Sequence, residues 1–273
     1  MYWDLKQLNE GGFDFSKFER NKALTTDKGI KHTFKKTGTT IVGCIFDEGV
    51  VLGADTRATE GTIVADPDCL KIHYLAPNIY CCGAGTAADT EMVTQMMASE
   101  LEMQRLYTGS ESRISHAEAR LTSHLFRYQG HIGAALIVGG VDIKGPQLVT
   151  ISPKGNSMIL PYTTMGSGSL AAMSVLETRY KDNMKEQECV DLVKDAIKAG
   201  IFNDLGSGSN VDIYIIRRTG CEKKESYREY NKKVFTQSDT YKFPKGTTQI
   251  LEEIQRNWKN VVVEQESVPM DIC

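Results

Sequence analysis

From Thr40 the chain runs through an apolar strand-like segment to Phe46, breaks at Asp47-Glu48-Gly49 and resumes from Val50 to Ala54. Two such runs around a short loop, with glycine where positive φ is easiest, predict a β-hairpin. Further strand-like runs cover Thr62 to Ala65, Lys71 to Leu75 and Ile79 to Cys82, and then the period changes. Met92, Val93, Met96, Met97, Leu101 and Met103 to Leu106 recur at helical spacing, and Ser115-His116-Ala117-Glu118 reads as the capping box of a second helix. Strands return at Ile132 to Val141 and Gln147 to Ser152 across the turn Lys144-Gly145-Pro146. A second helix pair follows, from about Ser169 to Tyr180 and from about Lys185 to Phe202, the latter with Asn183 and Glu186 at its start. The last regular core run is Val211 to Ile216, ahead of a charged stretch, CEKKESYREYNKK, and a tail containing the strand-like NVVVEQ.

The order is strands, two helices, strands, two helices, strands. Hairpin-joined strands alternating with paired helices predict antiparallel sheets stacked on each other with helices outside, rather than a βαβ winding. Beyond that loose two-fold grouping the chain shows no internal repeat and no low-complexity linker.

Composition narrows the picture. A chain of 273 residues with 41% hydrophobic content can fill a substantial core. With 32 basic against 35 acidic side chains, nothing favours a polyanion, so neither nucleic acid nor a membrane surface is an expected partner. The seven cysteines are odd in number and lack zinc or disulfide-scaffold spacing, which points to a reducing compartment and to no metal. Adjacent Cys81 and Cys82 are expected on opposite faces of one strand. No run of about 18 apolar residues occurs, and residues 1 to 38 lack a secretory apolar stretch, so a soluble intracellular protein is expected. Those first 38 residues hold eight Lys and Arg against five acids, in a chain whose net charge is −3. Charge and pattern therefore both shift at Gly38.

Several familiar chemistries fit poorly. Gly83, Gly85 and Ala88 trace the outline of a dinucleotide-binding turn, yet the region where its acidic partner should end a second strand lies inside a helical pattern. A tight strand-to-helix turn with free N–H groups, able to hold an oxyanion, suits them better. Ser167 and Ser207 lack the flanking glycines of a nucleophile elbow. His32, His73, His116, His124 and His131 stand beside no obvious nucleophile, and HExxH and Walker motifs are absent.

Thr39, directly after Gly38, offers another chemistry. A threonine hydroxyl needs a base, and if the preceding peptide bond is cut the threonine's own α-amine, which titrates near neutrality, can serve. Gly38 leaves that bond accessible. Taken alone, Gly-Thr-Thr also reads simply as the start of a strand.

The surrounding residues decide between the two. TTIVGCIFDEGVVLGADTRAT from Thr39, Lys71 in CLKIHYL, YCCGAGTAADTEM, LFRYQGHIGAALIVGGVD, MGSGSLAAM and AGIFNDLGSGSNVDIYII together resemble a proteasome beta subunit, most closely the trypsin-like, beta-2 type. The resemblance covers essentially Thr39 to the C-terminus. It implies an α+β fold of the N-terminal nucleophile hydrolase type, a four-layer αββα sandwich with two antiparallel sheets between helix pairs. It further implies a propeptide over 1–38 removed at Gly38-Thr39, a hydrolase domain over 39–217 and a C-terminal arm over 218–273.

By the same resemblance Thr39 matches the nucleophile, Asp55 its acid, Lys71 the neighbouring cation and Gly85 the oxyanion donor. Ser167, Asp204 and Ser207 match the residues around the threonine amine. Gly83 is expected at the floor of the substrate pocket, Glu91 at its end, Cys69 on its wall, Glu60 near its rim and Thr59 among the substrate-binding residues. The implied activity is a threonine endopeptidase of the 20S core, without a cofactor, cutting unfolded polypeptides after basic residues. Expected partners are the other alpha and beta subunits of a four-ring, 28-subunit barrel in cytoplasm and nucleus, with the arm and its NVVV segment on a beta-3 type neighbour. Two rivals are a catalytically silent ring subunit, which would leave Gly38-Thr39 uncut, and a nucleotide-dependent oxidoreductase, which would bind NAD and tolerate Thr39→Ala.

Overall fold

The computed structural model describes residues 37–227 together with 19, 20, 22, 23, 26, 246 and 249–255. The chain divides into a unit over Met1–Asn231 and a second over Lys232–Cys273. Residues 249–255 of the second unit are irregular and exposed. The expected NVVVEQ strand and most of the expected propeptide lie outside the described residues.

From Thr40 to Tyr227 twelve strands and four helices follow one another: β1 (Thr40–Phe46), β2 (Gly49–Asp55), β3 (Ala58–Glu60), β4 (Ile63–Asp66), β5 (Ile72–Ala76), β6 (Ile79–Gly85), α1 (Ala87–Thr108), α2 (Ile114–Arg127), β7 (Ala134–Asp142), β8 (Gly145–Ile151), β9 (Ser157–Ile159), β10 (Tyr162–Gly166), α3 (Ser169–Arg179), α4 (Glu186–Asn203), β11 (Val211–Arg217) and β12 (Gly220–Tyr227). One five-stranded sheet has the order β10-β1-β2-β11-β12, a second β5-β6-β7-β8-β9, and β3 and β4 form a small pair. Every pairing is antiparallel. That excludes the parallel βαβ setting a dinucleotide turn requires, and Gly83 and Gly85 instead end the antiparallel strand β6.

Three apolar layers explain the stacking. Side chains alternate across each strand, so β1 sends Ile41 to one face and Val42 and Cys44 to the other. Val42, Cys44, Val51, Ile213 and Ile215 pack against α3 and α4 through Leu176, Val193 and Ile197. Cys81, Leu136, Val138 and Val149 pack against α1 and α2 through Met97, Leu101, Leu121 and Leu125. Between the sheets lie Ile41, Leu52, Cys82, Ile137, Leu148 and Tyr214. The result is the expected αββα sandwich, and Cys81 and Cys82 do face opposite layers.

Local readings needed correction where side chains compete for helix ends. Ser115 is not a cap: α2 begins at Ile114, its cap residue is Arg113, and no side chain hydrogen-bonds the first turn. Asn183 has a left-handed φ of 56° and lies outside α4, whose cap residue is Lys185, its N–H donating to Glu188 Oε2 at 3.4 Å. The apolar Ile63 and Val64 do form a strand, but on the exposed β3–β4 pair. Residues 220–227, at the start of the expected arm, form the edge strand β12, paired with β11, and their charges suit an edge strand.

The topology brings one end of six strands together. Antiparallel pairing sets Thr40 against Gly166, Ile41 against Ala54 and Val211 against Asp55, so the start of β1, the ends of β2 and β10 and the start of β11 share one edge. The end of β6 and the residue before β5 reach the same edge from the second sheet.

Candidate active site

Thr39 sits immediately before β1 and is only 4% exposed. Its Oγ1 donates to the Gly38 carbonyl at 2.7 Å, and its backbone N–H donates to Ser167 Oγ at 3.0 Å. Lys71, just before β5, is equally enclosed. Its ammonium has three protons, and three acceptors surround it: Asp55 Oδ1 at 2.8 Å, Thr39 Oγ1 at 3.2 Å and the Gly38 oxygen at 3.2 Å. The cation is therefore fixed between a carboxylate, a hydroxyl and the carbonyl of the bond preceding that hydroxyl.

Asp55 ends β2 and is fully buried. Burial pushes its carboxyl above the ordinary value, while the Lys71 ammonium and the N–H groups of Thr40 (2.8 Å) and Gly208 (3.1 Å) pull against that rise. A buried ion pair requires such extra donors, and a third N–H, from Arg57, reaches the same carboxylate at 3.3 Å.

On the other side of Thr39 a second polar chain is closed. Asp204 follows α4, and its Oδ2 accepts from Ser167 Oγ at 2.6 Å and from Ser207 Oγ at 2.7 Å. One backbone N–H of the turn that follows donates to Oδ1 at 3.1 Å. Burial raises this carboxyl, but those three bonds and the Lys71 charge outweigh it and hold Asp204 below its ordinary value. Ser207 in turn accepts from Thr40 Oγ1 at 2.7 Å, since its own proton goes to Asp204.

Gly85 adopts φ of 119°, and a Cβ there would meet the Gly133 carbonyl at 2.2 Å, so only glycine fits. Its own carbonyl accepts from Thr37 Oγ1 at 2.8 Å. Beside these groups opens a cleft of about 650 Å³ whose lining includes Thr39, Cys69, Lys71, Gly83, Gly85 and Glu91. Gly83 packs so closely on Thr90 of α1 that a Cβ would come within 2.9 Å of it, which keeps the cleft open at that depth. Burial pushes the Cys69 thiol up despite nearby Lys71, so it stays protonated. Burial likewise lowers His73, leaving a neutral ring in the cleft near Glu91.

Of the twelve catalytic and substrate-binding residues expected from sequence, Thr39, Asp55, Lys71, Ser167, Asp204 and Ser207 form one connected network with the processing residue Gly38, while Gly83, Gly85, Cys69 and Glu91 line the cleft beside it. Thr59 is buried and its Oγ1 accepts the Gly38 N–H at 3.1 Å, which ties it to the leader side of the bond. Glu60 is exposed on β3 and does not line the cleft. Sequence reasoning missed Thr37, Thr40 and the far wall formed by Tyr214, Lys223 and Glu225. Thr40 carried a usable signal, a hydroxyl adjacent to the candidate nucleophile. The far wall carried none.

A model of the proteasome subunit family matches residues 35–216, two thirds of the chain and every residue of this network. The chain belongs to the proteasome subunit family. Among relatives of this proteasome subunit, proteasome subunit beta type-7-B of Arabidopsis thaliana is 57% identical over 246 residues, covering 90% of this chain and 89% of the relative. Proteasome subunit beta type-7 of Dictyostelium discoideum is 54% identical over 249 residues, covering 91% and 93%. Proteasome subunit beta type-2 of Saccharomyces cerevisiae is 46% identical over 258 residues, covering 94% and 98%. Among the described residues of this subunit no cluster of His, Cys, Asp and Glu is placed to hold a metal, and no helix is long and apolar enough to cross a membrane.

Proposed function

We propose that this proteasome subunit is a threonine endopeptidase of the 20S core, made as an inactive precursor that cuts itself at Gly38-Thr39 and then cleaves unfolded polypeptides after basic residues. The observation that carries this reading is the Lys71 ammonium, 3.2 Å from both the Thr39 hydroxyl oxygen and the Gly38 carbonyl oxygen and anchored on Asp55.

In the precursor the Thr39 nitrogen is an amide and has no basic lone pair, so it can accept no proton. The hydroxyl lies beside the carbonyl that Lys71 polarises. Attack of Oγ1 on the Gly38 carbonyl carbon forms an ester as the C–N bond breaks and the nitrogen takes up a proton. Water then cleaves the ester, releasing the leader carboxylate and freeing both amine and hydroxyl on Thr39.

In the mature chain the amine takes the proton from Oγ1 as a substrate carbonyl is attacked and returns it to the leaving amine. Ser167, Asp204 and Ser207 hold that amine in place, Lys71 stabilises the deprotonated oxygen, and the Gly85 N–H receives the oxyanion, a donation of about 3 kcal/mol. The acyl ester is cleaved by water as before.

Gly83 and Cys69 give room for a long side chain, and Glu91 meets its positive head. Glu91→Gln is expected to lower kcat/KM for Lys or Arg peptides about tenfold, the worth of one charge-assisted hydrogen bond at an accessible site, and to leave peptides with apolar P1 residues unaffected. Steady-state kinetics on matched peptides measure this.

The leader 1–38, the hydrolase domain 39–217 and the arm 218–273 remain the proposed parts, the first eight-residue strand of the arm being β12. The partners are the other beta and alpha subunits of a four-ring, 28-subunit barrel, the arm reaching a beta-3 type neighbour, in cytoplasm and nucleus. The family membership of the chain supports these assignments. An electrophilic peptide inhibitor with a basic P1 residue tests the activity: adduct mass on Thr39 in assembled particles is the expected result, and an unmodified Thr39 under conditions that label other subunits contradicts it.

A further inference from the structure

We propose that Asp89 is a positioning residue for the oxyanion donor: from the first turn of α1 it clamps Gly133, on whose carbonyl Gly85 is seated, and so fixes the direction of the Gly85 N–H. The inference rests on the reading that Thr39 is the nucleophile and the Gly85 N–H receives the oxyanion.

Thr86 is the cap residue of α1, but its side chain makes no cap hydrogen bond. Asp89, three residues on, has the place from which an acidic side chain ordinarily reaches back to the N–H of the cap residue. Here both groups are spent on Gly133 instead. The Thr86 N–H donates to the Gly133 carbonyl at 2.8 Å, and the Gly133 N–H donates to Asp89 Oδ2 at 2.8 Å. Gly133, just before β7, is thus gripped by both of its backbone polar groups. A Cβ on it would lie 2.8 Å from Thr86 Oγ1 and 3.4 Å from Asp89 Oδ2, so the fit is close on that side too.

The grip on Gly133 sets the direction of Gly85. Gly85 stands opposite Ala134, and the Thr86–Gly133 bond makes theirs a pair without mutual hydrogen bonds, so the Gly85 N–H points away from β7. On that side the Gly83 N–H donates to the Lys71 carbonyl at 3.0 Å, while the register of β6 on β5 covers only Ile79 to Cys82. Two residues beyond Gly83 the donor therefore has no ladder partner, and there Gly85 lines the cleft. The place of a Cβ on Gly85 is 2.2 Å from the Gly133 oxygen, so a shift of Gly133 is felt at Gly85 directly. Thr37 Oγ1 also holds the Gly85 carbonyl, at 2.8 Å, but that contact leaves with the leader. The clamp through Asp89 stays.

The test uses assembled particles from cells in which this chain, whole and with its leader, replaces the native subunit. Asp89→Ala and Asp89→Asn are compared with the unsubstituted chain, per processed chain as counted by intact mass. Three basic-P1 probes are used: a peptide substrate, a peptide boronate that binds as a tetrahedral anion, and a peptide vinyl sulfone. With the sulfone, Thr39 Oγ1 adds to a carbon–carbon double bond and its proton ends on the carbon next to sulfur, so no oxyanion forms at the attacked carbon. Outright loss of an oxyanion donor costs about 100- to 1,000-fold, and a donor merely loosened in Asp89→Ala is expected to cost about tenfold in kcat and in boronate affinity. KM and vinyl sulfone labelling of Thr39 are expected to stay within about twofold, since neither depends on the developing charge. Asp89→Asn keeps an oxygen that accepts the Gly133 N–H and is expected to stay within about threefold on every probe.

Unchanged kcat and boronate affinity in Asp89→Ala overturn the proposal. An equal fall in vinyl sulfone labelling, an asparagine variant as poor as the alanine one, or failure of the alanine variant to assemble or process also overturns it, since Asp89 would then serve the nucleophile or the fold. Absence of labelling on Thr39 in the unsubstituted chain sinks the threonine reading and this proposal with it, whereas labelling there beside normal hydrolysis by Asp89→Ala sinks only the clamp.

Discussion

Thr39→Ala is expected to leave the leader attached and the subunit without peptidase activity. Under the proposed mechanism the two functions fall together because both use one oxygen atom, first against the Gly38 carbonyl and later against a substrate carbonyl. Removing a nucleophile whose partners act as a unit costs on the order of a million-fold in kcat. The fold has little reason to respond, since Thr39 precedes β1 and its N–H and carbonyl contacts with Ser167 and Gly168 are made by the backbone. Thr39→Ser keeps the hydroxyl and the latent amine and is expected to process and to cleave more slowly. Particle composition by native mass spectrometry and hydrolysis of basic-P1 peptides measure both effects. Full assembly with no leader removal in the alanine variant is the predicted pair of results, and a cleaved, active alanine variant contradicts the assignment of the nucleophile.

Lys71→Met abolishes the same two functions and also loosens the structure around them. The loss of activity follows from the ammonium's contact with both reacting groups. The loosening follows from Asp55, which is 0% exposed and keeps only backbone N–H donors once its 2.8 Å ion-pair partner is gone. Leaving a buried charge without its partner costs about 3–5 kcal/mol. Amide exchange should therefore speed up at the start of β1, the end of β2 and the start of β5 in assembled particles. Adding Asp55→Asn to Lys71→Met removes the stranded charge, so exchange protection should recover while activity stays lost. Lys71→Arg restores neither, because a planar fork does not reproduce three donors at the point of a tetrahedral ammonium. Unchanged exchange in the single variant, or recovered activity in the double, contradicts the role given to the pair.

The sequence made some parts of this molecule readable and hid others for physical reasons. β1, β2, β6 and β7 are read at once because each is buried on both faces, so apolar residues fill nearly every position. Strands with exposed faces give no such signal: nothing in the sequence pattern marks β9 or β10, although β10 completes the sheet beside Thr40, and β12 reads as a charged stretch. Cap residues are harder to read, because Ser115 and Asn183 have capping side chains yet Arg113 and Lys185 take the cap positions, while the start of α4 lies where its apolar spacing puts it. Thr39 behind Gly38 is legible from its own chemistry, whereas Asp55 and Lys71 are legible only through the resemblance to proteasome beta subunits. The link from Thr40 to Ser207 spans 167 residues of sequence, so only folding brings that pair together.

Intact mass and N-terminal sequencing of this subunit, taken from fully assembled particles, bear most directly on the proposal that Thr39 is at once nucleophile and base. The account predicts a chain beginning with a free amine on Thr39. A mature chain that begins at any other residue, or that retains Gly38 in peptide linkage while the site still hydrolyses substrate, contradicts it.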